Sequence, residues 1–298
     1  ALPNGARDHA ARHSRGSNRL TAIALTDSEV TLFFRGLERS VGVHLDLSKR
    51  YLLNARLEPV SNRLGYSSVD TLVRALNQMD LLETRQQAYA ALTTNETMFF
   101  RDPELFELLK NRLLPALIKR RADSRRIRIW SAAASTGQEV YSLAMLIRLH
   151  FPDLKNWELE IRGSDVSHSV IQTARAGIFN DRETSRGLPL IYFNTFFTKA
   201  DCGRHKLSDE IRNMVTFDWF NLMSDRFSNR RYDLILMRNV LIYFSLKNKI
   251  TVLEKANQAL ADADSALLLG GAESVNGNPR FVMNRDPRWH FYTKKREG

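Results

Sequence analysis

The stretch "RIRIWSAAASTGQEVYSLAML", residues 126–146, decides the fold, because its two ends ask for different structures. The opening RIRIW reads as a short strand, and the closing residues from Gln138 onward read as the first turns of a helix. Between them lie alanines, serines and a threonine with a single glycine, Gly137. In an open α/β sheet, ligands bind outside the carboxyl ends of the strands. Small side chains there let backbone approach a ligand closely, and Gly137 has access to conformations other residues avoid. A diphosphate would call for a G-x-G-x-x-G turn and a helix N-terminus aimed at the charge. This turn lacks that pattern and places Glu139 at the helix start, where a carboxylate repels phosphate and attracts a cation. The turn also fits a tight strand–helix connection with no ligand.

The same rhythm recurs downstream. "ELEIRGSD", "YDLILMRN" and "SALLLGGA" are short apolar runs, each followed by a turn and a helix-like stretch. Strands alternating with helices predict a parallel, doubly wound sheet. Between about residues 177 and 217 the alternation blurs into an insert. Upstream the pattern is helical. "TDSEVTLFFRGLERSVG" offers Thr26 or Asp27 as N-cap, Glu29 in the first turn, and Val30, Phe33, Phe34 and Leu37 at helical spacing. A second helix follows, expected to break or restart around Pro59 and to stop at Gly65. Two more complete an all-helical unit ending near Leu92, and "DPELFELLKNRLLPALIKRRA" reads as a connecting helix. Residues 1–20 have the composition of a mobile basic tail.

The 298 residues are 43% hydrophobic and 26% charged, enough to bury a sizeable core. The single cysteine, Cys202, excludes an internal disulfide framework and fits a reducing compartment. No apolar run approaches the ~20 residues that span a bilayer, and the beginning of the chain has no apolar signal-peptide segment. A soluble cytoplasmic protein is expected. The net charge of +11 favours an acidic partner such as nucleic acid, an anionic membrane surface or an acidic protein, unless it is a merely solvated surface.

Three further segments gather near the strand ends. Asp165 closes the second strand, where Rossmann-like domains place an acid against ribose hydroxyls; it is equally placed to cap the following helix. Loop acids after the first two strands, without a diphosphate cradle, suit a nucleoside with a cationic centre, the character of S-adenosylmethionine. Arg238 and Asn239 fall at the end of "YDLILM", with Tyr243 one helical turn beyond Asn239; a local cap and a core aromatic would look the same. In "LTTNETMFFRDPELF", polar Asn95, Thr97 and Arg101 accompany Phe99 and Phe100, either as a site or as a linker that packs its phenylalanines.

Together, "ALTTNETMFFRD", "WSAAASTGQEVYSLAM", "GSDVSHSVIQTARAGIF", "MRNVLIYF" and "GGAES" resemble the CheR-type chemotaxis receptor glutamate methyltransferases, from about residue 26 to the C-terminus. The resemblance implies an α/β, Rossmann-like S-adenosylmethionine-dependent methyltransferase domain over 125–298, with a small β-subdomain inserted at about 178–217. It implies an all-α substrate-recognition domain at 21–92 and a linker with a connecting helix at 93–124. Carried over by position, Asn95, Thr97 and Arg101 would lie near the methionine part of the cofactor, Glu139 would hold its ammonium or nearby groups, Asp165 the ribose hydroxyls, and Asn221 would lie by the adenine. Asn239 and Tyr243 would line the reacting end, with Arg101 and Tyr243 positioning the substrate carboxylate. S-adenosylmethionine is the implied cofactor, S-adenosylhomocysteine the product, and the cytoplasmic helical domain of chemotaxis receptors the partner. Neither a metal site, membrane insertion nor nucleic acid is expected, and the chain is expected to be a monomer. The Asn/Asp-Pro-Pro-Tyr/Phe tetrapeptide of amino-methylating enzymes is absent after "YDLILM", which continues "RNVL".

The chain departs from the family pattern in places. "TGQEVYS" stands where "TGEEPYS" is common, "GGAES" stands for a "GHSE"-like sequence, and "KADCGRHKLS" lacks the glycine-rich loop of members that dock on a receptor tail peptide. Direct recognition of the receptor bundle is therefore expected. Lys49, Arg50, Arg56 and Arg63 lie in the second helical segment, where they would face an acidic methylation helix, or form a solvated helix face. A glutamate is ionised at neutral pH, its reference pKa being about 4.3, so its methylation needs no general base. The same residues would serve a methyltransferase acting on a different acidic protein, or a module that senses the cofactor without transferring methyl.

Overall fold

Thr26 and Glu29 start the ordered helices. The computed structural model describes residues 24–227 and 230–296; the tail expected at 1–20 lies outside them. The Thr26 hydroxyl accepts the Glu29 N–H at 3.2 Å while the Glu29 carboxylate accepts the Thr26 N–H at 2.7 Å, a reciprocal cap. Helix α1 (Asp27–Val41) then buries Val30, Phe33, Phe34 and Leu37, the stripe its periodicity predicts. Helices α2 (Tyr51–Arg63), α3 (Val69–Gln78) and α4 (Leu82–Leu92) follow. The break expected at Pro59 does not occur: α2 runs through it. Pro59 is exposed, as is Ala55 four residues earlier, so the carbonyl that loses its donor faces solvent while Leu53, Leu57 and Val60 anchor the buried side.

The connecting helix consists of α5 (Pro103–Leu108), a single widened π turn (Leu109–Leu113) and α6 (Leu114–Arg120). Pro115 has no N–H and its ring crowds the preceding turn; Leu114 instead donates to Leu109, five residues back.

Then come β1 (Arg126–Ala132), α7 (Gln138–His150), β2 (Glu158–Asp165) and α8 (His168–Ala176). The insert holds β3 (Ile178–Asn180), α9 (Asp181–Ser185), α10 (Leu190–Phe196), β4 (Phe197–Ala200), β5 (Arg204–Leu207) and α11 (Asp209–Arg212). The chain closes with β6 (Val215–Trp219), β7 (Leu234–Met237), α12 (Leu246–Ala259), β8 (Ala266–Leu269), β9 (Phe281–Asn284) and β10 (Phe291–Lys294). Among the described residues these strands form a seven-stranded sheet, ordered β6-β2-β1-β7-β8-β10-β9, and a three-stranded one, β3-β5-β4. The large sheet is parallel from β6 to β8, as the alternation predicts, and ends in an antiparallel β9–β10 ribbon that it does not. The insert boundary is corrected as well: β6 begins at Val215 and pairs with β2 in the main sheet, so the small sheet closes at Leu207.

Alternate residues of the central strands feed two cores. Ile127 and Ile129 of β1, Leu234 and Leu236 of β7 and Leu268 of β8 pack with α7, the connecting helix and the insert. Trp130, Ala132, Ile235, Met237 and Leu267 turn to the other face, against α12 and the N-terminal helices. The helical unit thus has no separate core; its apolar interior is continuous with one face of the sheet.

Candidate functional site

The strand order reverses at β1, with β2 on one side and β7 on the other, and a cavity opens at the carboxyl ends of these strands. Ala133, Ala134 and Ser135 after β1, Asp165 and Val166 at β2, Phe220 to Leu222 after β6, and Arg238 to Val240 after β7 all line it. The linker adds Thr93 to Thr97 and Arg101, and the N-terminal unit adds Val41 and Val43. All eight sequence-named cavity positions, Asn95, Thr97, Arg101, Glu139, Asp165, Asn221, Asn239 and Tyr243, meet in this one place.

The turn after β1 is bent harder than its composition suggests. Ala133 (φ 61°) and Ser135 (φ 51°) are both left-handed, as is Gly137 (φ 92°), so two residues with side chains hold a conformation usually left to glycine. A Cβ on Gly137 would lie 3.0 Å from the Phe217 ring and 3.1 Å from the Ala174 Cβ, which accounts for the one glycine. The turn is pinned from both sides. The Ser135 N–H donates to Asp165 Oδ2 at 2.9 Å, and the Ser135 hydroxyl donates to the Asn95 carbonyl at 2.8 Å.

Asp165 takes the capping role its position suggested and faces the cavity as well. Its Oδ1 accepts the Ser167 N–H at 3.0 Å at the start of α8, while the carboxylate stands in the cavity wall. Burial pushes its carboxyl above the usual range, and the N–H groups of Ser167, Ser135 and Val166 pull it back.

Glu139 is more committed than the sequence suggested. Its Oε1 accepts the Ser131 hydroxyl at 2.8 Å and its Oε2 pairs with the Arg238 guanidinium, which also grips the Asp102 carboxylate and the Arg101 carbonyl. Arg238 is only 1% exposed. The sequence placed it on the ligand side without a role; a charge ending the apolar run "LILM" must find a partner, and that was the available signal. Asn221 is committed too: its Nδ2 donates to the Ser40 carbonyl at 2.8 Å and its Oδ1 accepts the Met223 N–H at 2.9 Å, tying α1 to the cavity rim.

Arg101 sits between two left-handed residues, Phe100 (φ 47°) and Asp102 (φ 60°). The surroundings enforce this: Phe100 N–H donates to the buried Ser142 hydroxyl at 2.9 Å, and Arg238 holds Arg101 and Asp102. The Arg101 guanidinium donates to the Glu96 carbonyl at 3.2 Å. Glu96 pairs with Arg186 at 2.8 Å, which lowers its carboxyl below the usual range. Asn239 and Tyr243 share the cavity but not a helix face: Asn239 is left-handed (φ 58°) and Leu241–Tyr243 is a single 3₁₀ turn. The Tyr243 carbonyl accepts the His44 N–H at 2.8 Å, and Val43 bridges Phe244, so the N-terminal unit holds this turn.

The four basic residues expected to face a partner divide. Lys49 is exposed on a 3₁₀ turn (Leu47–Lys49) ahead of α2. Arg50 pairs with Asp27 at 2.7 Å, and Arg63 donates to Gln87 at 3.1 Å. Arg56 donates to the Leu92 and Thr93 carbonyls at 2.9 and 2.7 Å, so it closes the end of α4 and steadies the linker. Arg50, Arg56 and Arg63 thus have partners within the chain. No helix of the described residues is long and apolar enough to cross a membrane.

The donor set fits S-adenosylmethionine. Acids and amide oxygens of Glu139, Asp165 and Asn95 stand beside apolar Val41, Val166, Phe220 and Leu222, and Arg238 is neutralised by two carboxylates rather than presented to a phosphate. Residues 95–290 match the family described as "CheR methyltransferase, SAM binding domain". The chain is 39% identical over 270 residues to a chemotaxis protein methyltransferase of Vibrio parahaemolyticus, covering 89% of this chain and 96% of that protein. Chemotaxis protein methyltransferase 1 of Vibrio cholerae gives the same figures. Chemotaxis protein methyltransferase 1 of Pseudomonas aeruginosa is 35% identical over 261 residues, 86% of this chain and 94% of that protein.

Proposed function

The chain belongs to the CheR methyltransferase family and is an S-adenosylmethionine-dependent methyltransferase of the chemotaxis type; from that premise we propose that it esterifies glutamate side chains on the cytoplasmic helices of chemotaxis receptors. The observation that carries this reading is the composition of the cavity. No His, Lys or Cys is among its described lining residues, and the acids at its strand ends are engaged, Glu139 by Arg238 and Asp165 by backbone N–H groups. A hydroxyl, amine or thiol acceptor must lose a proton; a glutamate, with a reference pKa of about 4.3, arrives ionised and asks for no base.

When bound, S-adenosylmethionine supplies an electrophilic methyl group on a sulfonium. Glu139, Asp165 and Asn95 hold the polar parts of that molecule, and Phe220, Leu222 and Val166 keep water from it. Arg101 orients one oxygen of the incoming carboxylate and leaves the other free, since pairing both would stabilise the ground state. Tyr243 donates its hydroxyl to the same end. Holding two reactants in register contributes roughly 7–11 kcal/mol to such a transfer, and a dry cavity favours the meeting of carboxylate and cation. Lys49 and Arg63 are the exposed cations of the basic set; Arg63 donates to Gln87, and Lys49 steers an acidic helix toward the mouth.

Incubation with methyl-labelled S-adenosylmethionine and receptor cytoplasmic fragments tests the reading. Label that base releases as methanol supports it; label stable to base, or none on the fragments, overturns it.

A further inference from the structure

Four backbone N–H groups from two separate loops converge on one carboxylate behind the cavity wall. After β7 the chain reverses through left-handed Asn239, passes Val240 at φ −119°, ψ −41°, and enters the 3₁₀ turn that carries Tyr243. This path points the N–H groups of Asn239, Val240 and Ile242 to one side, a concavity that attracts an anion. Glu273 fills it. Its Oε2 accepts Asn239 N–H and Gly270 N–H, both at 2.7 Å, and its Oε1 accepts Val240 N–H at 3.0 Å and Ile242 N–H at 3.2 Å. Glu273 also donates its own N–H to the Gly270 carbonyl at 2.9 Å, so the loop after β8 folds back on itself to deliver the carboxylate. Gly270 has no room for a side chain: a Cβ there would lie 2.7 Å from Glu273 Oε2 and 3.1 Å from the Asn239 nitrogen.

Among the described residues no cation pairs with Glu273; backbone dipoles balance its charge. We infer that Glu273 is the positioning residue of the transfer, an anionic template that sets the 239–243 turn and so aims Asn239 and Tyr243 into the cavity. Two of the residues it holds, Asn239 and Val240, line that cavity, and Tyr243 directly follows the third. A neutral amide at this position has one accepting oxygen and an NH2 that faces donors, so it satisfies at most part of the ring. The role in transfer rests on the proposed receptor-glutamate reading; the role in shaping the turn does not.

The test uses the full chain with Glu273→Gln and Glu273→Asp. Amide exchange is expected to rise at least about tenfold at Asn239, Val240 and Ile242 in the Gln variant while β7 and β8 stay protected. Transfer to receptor fragments is expected to lose about tenfold or more in kcat, with the Asp variant recovering part of it. In a Tyr243→Phe background the Gln substitution should cost a smaller fold-loss than in the unaltered chain, because part of its effect acts through Tyr243. Unchanged exchange at 239–242, or the same fold-loss in both backgrounds, overturns the inference. If the Gln variant fails to fold, the Asp variant carries the same comparisons. If the unaltered chain methylates no receptor fragment, the functional reading fails alone, and the exchange measurement still decides the role of Glu273.

Discussion

Arg238, at the carboxyl end of β7, grips the carboxylate of Asp102, at the start of α5, with a side chain that is 1% exposed. The contact spans 136 positions of sequence and locks the linker segment that carries Arg101 onto the sheet that carries the cavity. Glu139 completes the arrangement from α7, so one cation is shared by two acids from different elements.

Removing that cation leaves both acids without it. Breaking a buried pair from one side costs about 3–5 kcal/mol, and Arg238→Met is expected to lower the thermal midpoint by roughly 10 °C for a chain of this size. Arg238→Lys keeps the charge but not the two-armed reach, and should fall between. A Met variant that melts with the unaltered protein would show that the bridge is ornamental to stability.

The two residues proposed to position the substrate carboxylate should separate by what each would donate. Tyr243→Phe deletes only a hydroxyl, worth about 0.5–1.5 kcal/mol as a hydrogen bond, so kcat should fall two- to tenfold with affinity for S-adenosylhomocysteine unchanged. Arg101→Ala deletes a charged donor, about 1.5–3 kcal/mol, and should lower kcat by about 10- to 150-fold. Calorimetry with the product and initial-rate kinetics read both quantities. Untouched transfer in both variants would remove Arg101 and Tyr243 from the chemistry.

Apolar periodicity made the sheet and α1 legible, because burial is periodic and the two faces of β1, β7 and β8 repeat every second residue. The cavity positions were legible because they sit where strands end. What the sequence hid is long-range and polar. Nothing local ties Asn221 to the Ser40 carbonyl 181 residues earlier, or Glu273 to the N–H groups after β7. Left-handed Phe100, Asp102, Ala133 and Ser135 were hidden for the same reason: their backbone is imposed by partners elsewhere, against their own preference. Pro59 misled in the opposite direction, since an exposed helix face tolerates a missing N–H.

Asp286 gives the fold an acid sensitivity of known sign. The Arg288 N–H, the Arg288 side chain and Arg112, the last at 2.8 Å, hold its carboxyl down to about 2. An unfolded aspartate titrates near 3.9, so between about pH 4 and pH 2 the unfolded chain binds the extra proton and stability falls as pH falls. Asp286→Asn removes this contribution. Its thermal midpoint should lie below that of the unaltered protein at pH 6, and the gap should close toward pH 2. A gap that is constant over this range would mean the ion pairs do not set the titration.

Lys49 and Arg56 belong to one basic stretch but should fail in different ways. Lys49 is exposed, so Lys49→Ala should leave folding and cofactor affinity alone and weaken receptor-fragment binding about two- to fivefold at low salt, the size of one exposed ion pair. That difference should vanish by ~0.5 M salt, where screening is short-ranged. Arg56 spends its donors on the Leu92 and Thr93 carbonyls beside the cavity-lining linker. Arg56→Ala should therefore lower the thermal midpoint and the affinity for S-adenosylhomocysteine, by an amount salt does not erase. The salt series separates them: a salt-sensitive Arg56 defect would make it a docking cation after all, and a salt-insensitive Lys49 defect would make Lys49 part of the scaffold.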